Sequence, residues 1–173
     1  MKPVSPSDEP VSGDDVPFPR PHHDHDHCRH DALRRAEDVC ARQGARLTQA
    51  RREVLDLLWA DHRPVSAYDL LHRLNADGRK AAPPVVYRAL DFLIEHGLAH
   101  RLNSLNAFIG CAHIGGEHGA QFFICRECGQ VAETRSPEID SAIRTAGAEL
   151  GFRVQAPVVE VEGVCPTCSG APA

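Results

Sequence analysis

The chain has 173 residues, 42% of them hydrophobic, and a formal net charge of −5. That length holds one or two small domains with a real core, and no run of about 18 apolar residues offers a membrane span. Seven cysteines with no apolar leader predict a reducing, cytoplasmic setting, where paired cysteines bind metal more often than they form disulfides.

The charge is unevenly spread. Residues 1–30 carry three basic and six acidic side chains, residues 31–108 twelve and ten, and residues 109–173 four and eight. Only the middle segment has a positive balance. A mild local excess suits phosphate contacts, and strong DNA binding from it calls for a dimer.

Residues 1–21 include Pro3, Pro6, Pro10, Pro17, Pro19 and Pro21 among scattered acids. Such a composition cannot bury enough apolar surface to offset chain entropy, so it reads as a disordered tail. The tail ends in HHDHDHCRH at residues 22–30, with five histidines and a cysteine in nine positions. Without a framework these donors would bind several divalent metals loosely, as an auxiliary buffer.

From Asp31 the hydrophobic period is helical. A first helix is predicted over Ala32–Gln43, ending at Gly44, with Cys40 as a small core residue. Thr48 is placed to cap a second that buries Val54, Leu55, Leu57, Leu58 and Trp59. Ser66 caps a third, Ala67–Leu74, stopped by Ala76-Asp77-Gly78, and Pro83 and Pro84 open a fourth. In that fourth helix Val86, Ala89, Leu90, Leu93 and Ile94 gather on one side and Arg88, Asp91 and Glu95 on the other. Strand-like runs at Leu98–Leu102 and Ala107–Cys111 follow, joined by Asn103-Ser104-Leu105-Asn106. Three helices, a recognition helix and a hairpin in this order predict a winged helix-turn-helix.

Beyond Cys111 the pattern is that of a small α/β unit. Gln121–Cys125, Val131–Thr134 and Val158–Val164 read as strands, the last alternating Val159 and Val161 with Glu160 and Glu162. A helix over Ser136–Leu150 lies between them. The unit is thin and invites sheet pairing across a homodimer. The overall expectation is an α+β chain with a tail (1–30), a DNA-binding domain (31–108) and a dimerisation and zinc-binding domain (109–173).

Cys125-Arg-Glu-Cys128 and Cys165-Pro-Thr-Cys168 are paired C-x-x-C knuckles separated by 36 residues. Four thiolates facing one ion suit tetrahedral Zn²⁺. A redox pair would need only one knuckle and a strand–helix context that is absent. Other donors are His62, His72, His96, His100, Cys111, His113, His118 and the carboxylates. His100 and Cys111 lie on the two hairpin strands, His118 precedes the strand to Cys125, and Glu133 lies on the next one. Together they could make a second, mixed-donor site that holds metal less tightly, as a sensor needs. The same spacing also fits a surface histidine, a core cysteine and a solvated glutamate. His113, His62, His72 and His96 read as surface residues.

RLTQARREVLDLL, SAYDLL, PPVVYRALDFLIEHGLAHRLNSLNAFIGC and FFICRECG resemble the zinc uptake regulators, the zinc-sensing branch of the ferric uptake regulator superfamily, over residues 31–168. The resemblance implies a homodimeric, metal-dependent repressor of zinc-acquisition genes, with two zinc ions per chain, operator DNA as partner and no small-molecule substrate. It implies structural zinc at Cys125, Cys128, Cys165 and Cys168 and regulatory zinc at His100, Cys111, His118 and Glu133. It also implies DNA contacts by Tyr68, Tyr87 and Arg88. Gln49 stands where the family has proline, and Val85 where it has a threonine able to cap the recognition helix or touch a phosphate. The iron- and peroxide-sensing relatives carry a His-rich run before the first knuckle, where this chain has Gly119-Ala120-Gln121. With a thiolate at Cys111, that argues for zinc over iron or manganese. The alternatives are a regulator of the superfamily sensing iron, manganese or nickel, a metal chaperone or store, and a zinc-ribbon interaction module without DNA binding. No nucleophile–base arrangement marks an enzyme.

Overall fold

A computed structural model describes residue 18 and residues 25–60, 63–76, 81–115 and 120–170. The helical half comprises α1 (His25–Arg42), α2 (Gln49–Leu58), α3 (Ala67–Asn75) and α4 (Pro83–Glu95). The hairpin β1 (Ala99–Leu102) and β2 (Ala107–Gly110) follows. The second half comprises β3 (Ala120–Cys125), β4 (Val131–Thr134), α5 (Pro137–Glu149), β5 (Val158–Gly163) and a short α6 (Pro166–Ser169). No helix among the described residues is long and apolar enough to cross a membrane.

Local chemistry explains most boundaries. The Ser66 hydroxyl accepts from the Asp69 N–H at 3.1 Å, a true side-chain cap. Thr48 occupies the cap position of α2, but its side chain makes no capping bond. Pro83 opens α4, where the missing N–H costs nothing. Val85 is therefore the third residue of that helix, and a threonine hydroxyl there would not be its N-cap. Val86, Ala89, Leu90 and Leu93 are buried as the periodicity predicts, whereas Phe92 is buried and Ile94 is 37% exposed. Phe92 is buried because the Arg51 guanidinium covers its ring, 3.4 Å from the centroid, and His96 packs beside it at 4.0 Å. His96 is thus half-buried, not solvated, while His72 is exposed and His62 lies outside the described residues.

The first helix begins at His25, seven residues before the predicted start. Residues 25–30 of the His-rich tract are thus helical, which corrects their reading as tail. Charge pairing explains the extension. Arg29 donates through Nε and an Nη to the two oxygens of Asp56 on α2, at 3.0 and 2.5 Å. His27 and Asp31 pair one turn apart at 3.3 Å. The rest of residues 1–24, Phe18 apart, lies outside the described residues.

One hydrophobic core lies among α1–α4 and takes in Cys40, Leu98, Ala99 and Phe108. A second joins Leu102 and Ile109 of the hairpin to Ala120, Phe122, Ile124 and Val131 of the second half. The hairpin is therefore sandwiched. Alternate side chains of each strand point to opposite faces, so Ala99 and Phe108 enter the helical core while Leu102 and Ile109 enter the other. All four residues of β2 are buried for this reason. The strand runs through Gly110, so a domain boundary after Phe108 falls inside it. Gly110 is needed there because a Cβ would come within 2.2 Å of Trp59 Nε1. Val65 also exchanges two backbone hydrogen bonds with Phe108, at 2.8 and 2.9 Å. This isolated bridge gives the wing a third line of pairing that no alternating run announces.

The second sheet has the order β4-β3-β5, antiparallel on one side of β3 and parallel on the other. Its parallel pair is connected through β4 and α5. Gln121, on the face away from the wing, is buried and fully partnered. It donates to the Ser136 carbonyl at 2.9 Å and accepts from the Ser136 N–H at 3.0 Å, tying β3 to the start of α5. β5 lies at the sheet edge with Val158 and Val161 exposed, and Leu150 and Phe152 are exposed as well.

Candidate metal centres and nucleic-acid interface

Cys125 closes β3, Cys128 lies in the turn to β4, and Cys165 and Cys168 sit at either end of the turn that forms α6. Gly129, with φ of 72°, supplies the left-handed residue that brings the chain back after the first knuckle. The four sulfur atoms lie within 4.8 Å of one another. The Cys165 N–H donates to Cys125 Sγ at 3.3 Å. Backbone N–H groups, those of Cys128 first and Cys165 next, draw the Cys125 thiol down to about 6. Hydrogen bonding with the neighbouring thiol of Cys165, and burial after it, push Cys168 up to about 12. Four sulfurs this close cannot all ionise without a cation between them. The arrangement fits a tetrahedral, closed, thiolate-bound ion.

The second cluster joins His100 of β1, Cys111 just past β2 and Glu133 of β4, again with donor atoms within 4.8 Å. Glu133 Oε1 lies 3.3 Å from His100 Nε2 and 3.8 Å from Cys111 Sγ, and Oε2 accepts the Ala112 N–H at 2.7 Å. Burial pushes the Glu133 carboxyl up, but the hydrogen bond and charge of His100 lead a set of contacts that hold it down at about 2. Burial, with the Glu133 charge behind it, pushes the Cys111 thiol up to about 12. A buried thiol beside a carboxylate keeps its proton until a metal displaces it. The donors present, one imidazole, one sulfur and one carboxylate, fit a mixed-donor divalent site.

Three of the four residues expected at this site are thus together. The fourth, His118, lies outside the described residues. His113 is exposed, as expected of a surface histidine, but it is not without a partner: its Nδ1 lies 3.3 Å from Glu133 Oε1, so two imidazoles face one carboxylate oxygen. Its place two residues after Cys111, on the way back from the wing, was the signal that could have found it. Phe122 was also missed, although its ring meets His100 edge-on at 5.1 Å between centroids.

On the opposite side of the helical half, Tyr68 is 76% and Tyr87 54% exposed, and Arg88 is exposed beside Tyr87. Val86, Ala89, Leu90 and Leu93 bury the other side of α4. Aromatic rings and a guanidinium held outward on a rigid helix suit contacts to phosphate and base edges.

A winged helix with an outward-facing fourth helix, joined by a metal-type cluster to a small sheet carrying four grouped cysteines, defines a metal-binding helix-turn-helix protein. The ferric uptake regulator family model matches residues 42–162, and the chain belongs to that family. It is 40% identical over 138 residues to the zinc uptake regulation protein of Escherichia coli (strain K12), covering 79% of this chain and 80% of that protein. The peroxide operon regulator of Bacillus subtilis (strain 168) is 26% identical over 137 residues, covering 79% and 93%. Among solved structures, a zinc uptake regulator complexed with zinc and DNA matches with TM-score 0.77 and 38% identity, over 82% of this chain and 95% of that one. The structure of holo XcZur matches with TM-score 0.75 and 39% identity, over 82% of this chain and 99% of that one.

Proposed function

We propose that this chain is a cytoplasmic, homodimeric, zinc-responsive transcriptional repressor that binds operator DNA when zinc-loaded and represses zinc-acquisition genes. The observation that carries the reading is the meeting of His100 and Cys111, from the wing, with Glu133 of the second half. That grouping supports a metal-dependent contact at the joint between the DNA-reading helices and the sheet. We assign structural zinc to Cys125, Cys128, Cys165 and Cys168 and regulatory zinc to His100, Cys111, His118 and Glu133. This makes two zinc ions per chain.

When bound at the joint, zinc supplies the positive charge that lets Cys111 release its proton beside Glu133. The residues do the rest. His100 and Cys111 carry the wing, and through Ala99 and Phe108 the wing carries the helical core. Glu133 anchors them to a sheet whose exposed β5 edge, with Val158 and Val161, favours pairing with a second copy. Fixing the joint in both protomers fixes the spacing of two α4 helices, which is what a two-fold operator reads. His100, Cys111 and Glu133, held together at the joint, would thereby favour the DNA-competent arrangement, the ion binding that arrangement better than the other.

The donor set supports zinc over iron or manganese because a thiolate suits the softer ion. A chaperone or store accounts for the donors but not for an exposed Tyr87-Arg88 pair on a buttressed helix. Electrophoretic mobility of promoter DNA with zinc and with a chelator tests the reading. Retardation only with zinc is expected, and zinc-independent or absent binding would refute it.

Arg88→Ala is expected to cost roughly 1–3 kcal/mol of operator binding if the guanidinium reads a base edge. Competition with non-specific DNA measures it. Loss of a base-edge interaction lowers the specificity ratio, whereas loss of a phosphate interaction weakens all sequences about equally.

Removing residues 1–24 discards five acidic and two basic side chains but leaves α1 whole. Operator binding at buffered free zinc should keep its midpoint, and a large shift would show that the segment before α1, with His22 and His23 of the His-rich tract, takes part in sensing. Extending the deletion through His30 also removes the Arg29–Asp56 pair. That should cost about 1 kcal/mol in urea unfolding, the upper range for a partly exposed ion pair.

A further inference from the structure

Glu133, Phe122 and Glu160 are directly opposite one another across β4, β3 and β5. Cross-strand partners share a face, so one row of three side chains underlies the hairpin. At one end Glu133 meets His100 at the base of the wing, and Phe122 in the middle meets the same imidazole. At the other end Glu160 holds the tip. Its Oε1 accepts the Asn103 N–H at 2.7 Å, and its Oε2 accepts the Ser104 N–H at 2.9 Å together with the Ser104 hydroxyl.

The two ends differ in what they require. The Glu133 end groups donors that a metal would complete. The Glu160 end has three matched donors for one carboxylate and needs no metal. Hydrogen bonds to an ionised acceptor are roughly twice as strong as neutral ones. Burial pushes the Glu160 carboxyl up, yet the Ser104 hydroxyl and the two amides outweigh it and leave the group below its ordinary range. The neighbouring acid Glu162 is already engaged by Arg126 at 2.8 Å, so Glu160 is the β5 carboxylate that holds the wing turn.

We propose that Glu160 is a metal-independent latch, a positioning residue that docks the wing tip on the sheet before the regulatory metal binds and thereby sets the zinc level at which the protein switches. The proposal rests on the zinc-responsive reading above. A ligand's apparent affinity is weaker the smaller the fraction of protein already in the competent arrangement. Loosening the tip should therefore raise the zinc needed without changing the fully loaded state.

Two measurements on the full-length dimer, with the four-cysteine zinc retained, test this. The first is amide hydrogen exchange after mild chelation of the second metal. The Asn103 and Ser104 amides should be protected in the wild type and exchange about tenfold faster or more in Glu160→Ala. The second is binding of an operator duplex, selected from a random pool at saturating zinc, across buffered free zinc. Glu160→Ala should raise the midpoint about tenfold and Ser104→Ala about threefold, with affinity at saturating zinc within about twofold of wild type. Ser104 is on the surface turn, so that variant folds even where Glu160→Ala does not. Unprotected amides in the wild type, unchanged midpoints in both variants, or a parallel fall in saturating affinity would each overturn the latch. A wild type that binds the duplex regardless of zinc would defeat the zinc-responsive reading instead, and the exchange experiment would still decide the latch.

Discussion

Cys128→Ser or Cys165→Ser is expected to remove one zinc per chain and to dissociate the dimer. Serine oxygen is a poor substitute for thiolate at a soft-ligand site, and three remaining sulfurs leave the ion open. The loss is structural because the cysteines tie the end of β3 and the β3–β4 turn to the chain leaving β5. Freed, β5 keeps its parallel ladder with β3 at the sheet edge and the side-chain contacts of Glu160 and Glu162, but loses the tie that closes its C-terminal end. Structural zinc contributes about 10–16 kcal/mol in isolated finger peptides, comparable to the whole stability of a domain. Metal content by elemental analysis and mass by sedimentation check this together. A variant that is dimeric, folded and fully metallated would remove the site.

Cys111→Ser and His118→Ala should behave differently. Each should retain the fold, the dimer and the four-cysteine zinc while losing zinc-dependent operator binding, a loss of at least about tenfold in the zinc response for one ligand. His113→Ala is the informative companion. The imidazole is half-exposed and shares Glu133 Oε1 with His100, so its removal leaves the buried pair in place. It should keep switching. If His113→Ala fails to switch and His118→Ala succeeds, the fourth donor is His113.

Much of this was legible in the sequence because the signals were local. Ser66 capping α3, the Pro-Pro start of α4, the turn around Asn103–Asn106 and the two knuckles are each written within a few residues. Signals that depend on distant partners were not. The helical turn at His25–His30 depends on Asp56, which is 27 positions from Arg29. Phe92 is inside and Ile94 partly outside because Arg51 and His96 cover one flank of α4. The role of Glu160 could not be read from the alternation of β5, which marks it only as a polar-face residue. Its partners lie 56 and 57 positions away. At the mixed cluster, the grouping of His100, Cys111 and Glu133 agrees with the sequence, while His113 was passed over for want of a partner that only the folded wing supplies.

The sandwiched hairpin bears on how such proteins can be recombined. Leu102 and Ile109 face one core and Ala99 and Phe108 the other, so no cut between the halves leaves both apolar clusters whole. A DNA-reading fragment ending after β2 would expose the Leu102–Ile109 face to water, and a sheet fragment beginning after it would expose Phe122. Chimeras that graft one relative's reading head onto another's sensor therefore need matched surfaces on both sides of β1 and β2. In lineages of this architecture, changes at Leu102, Ile109 and Phe122 should travel together, because the module that diversifies is the joint and not either half.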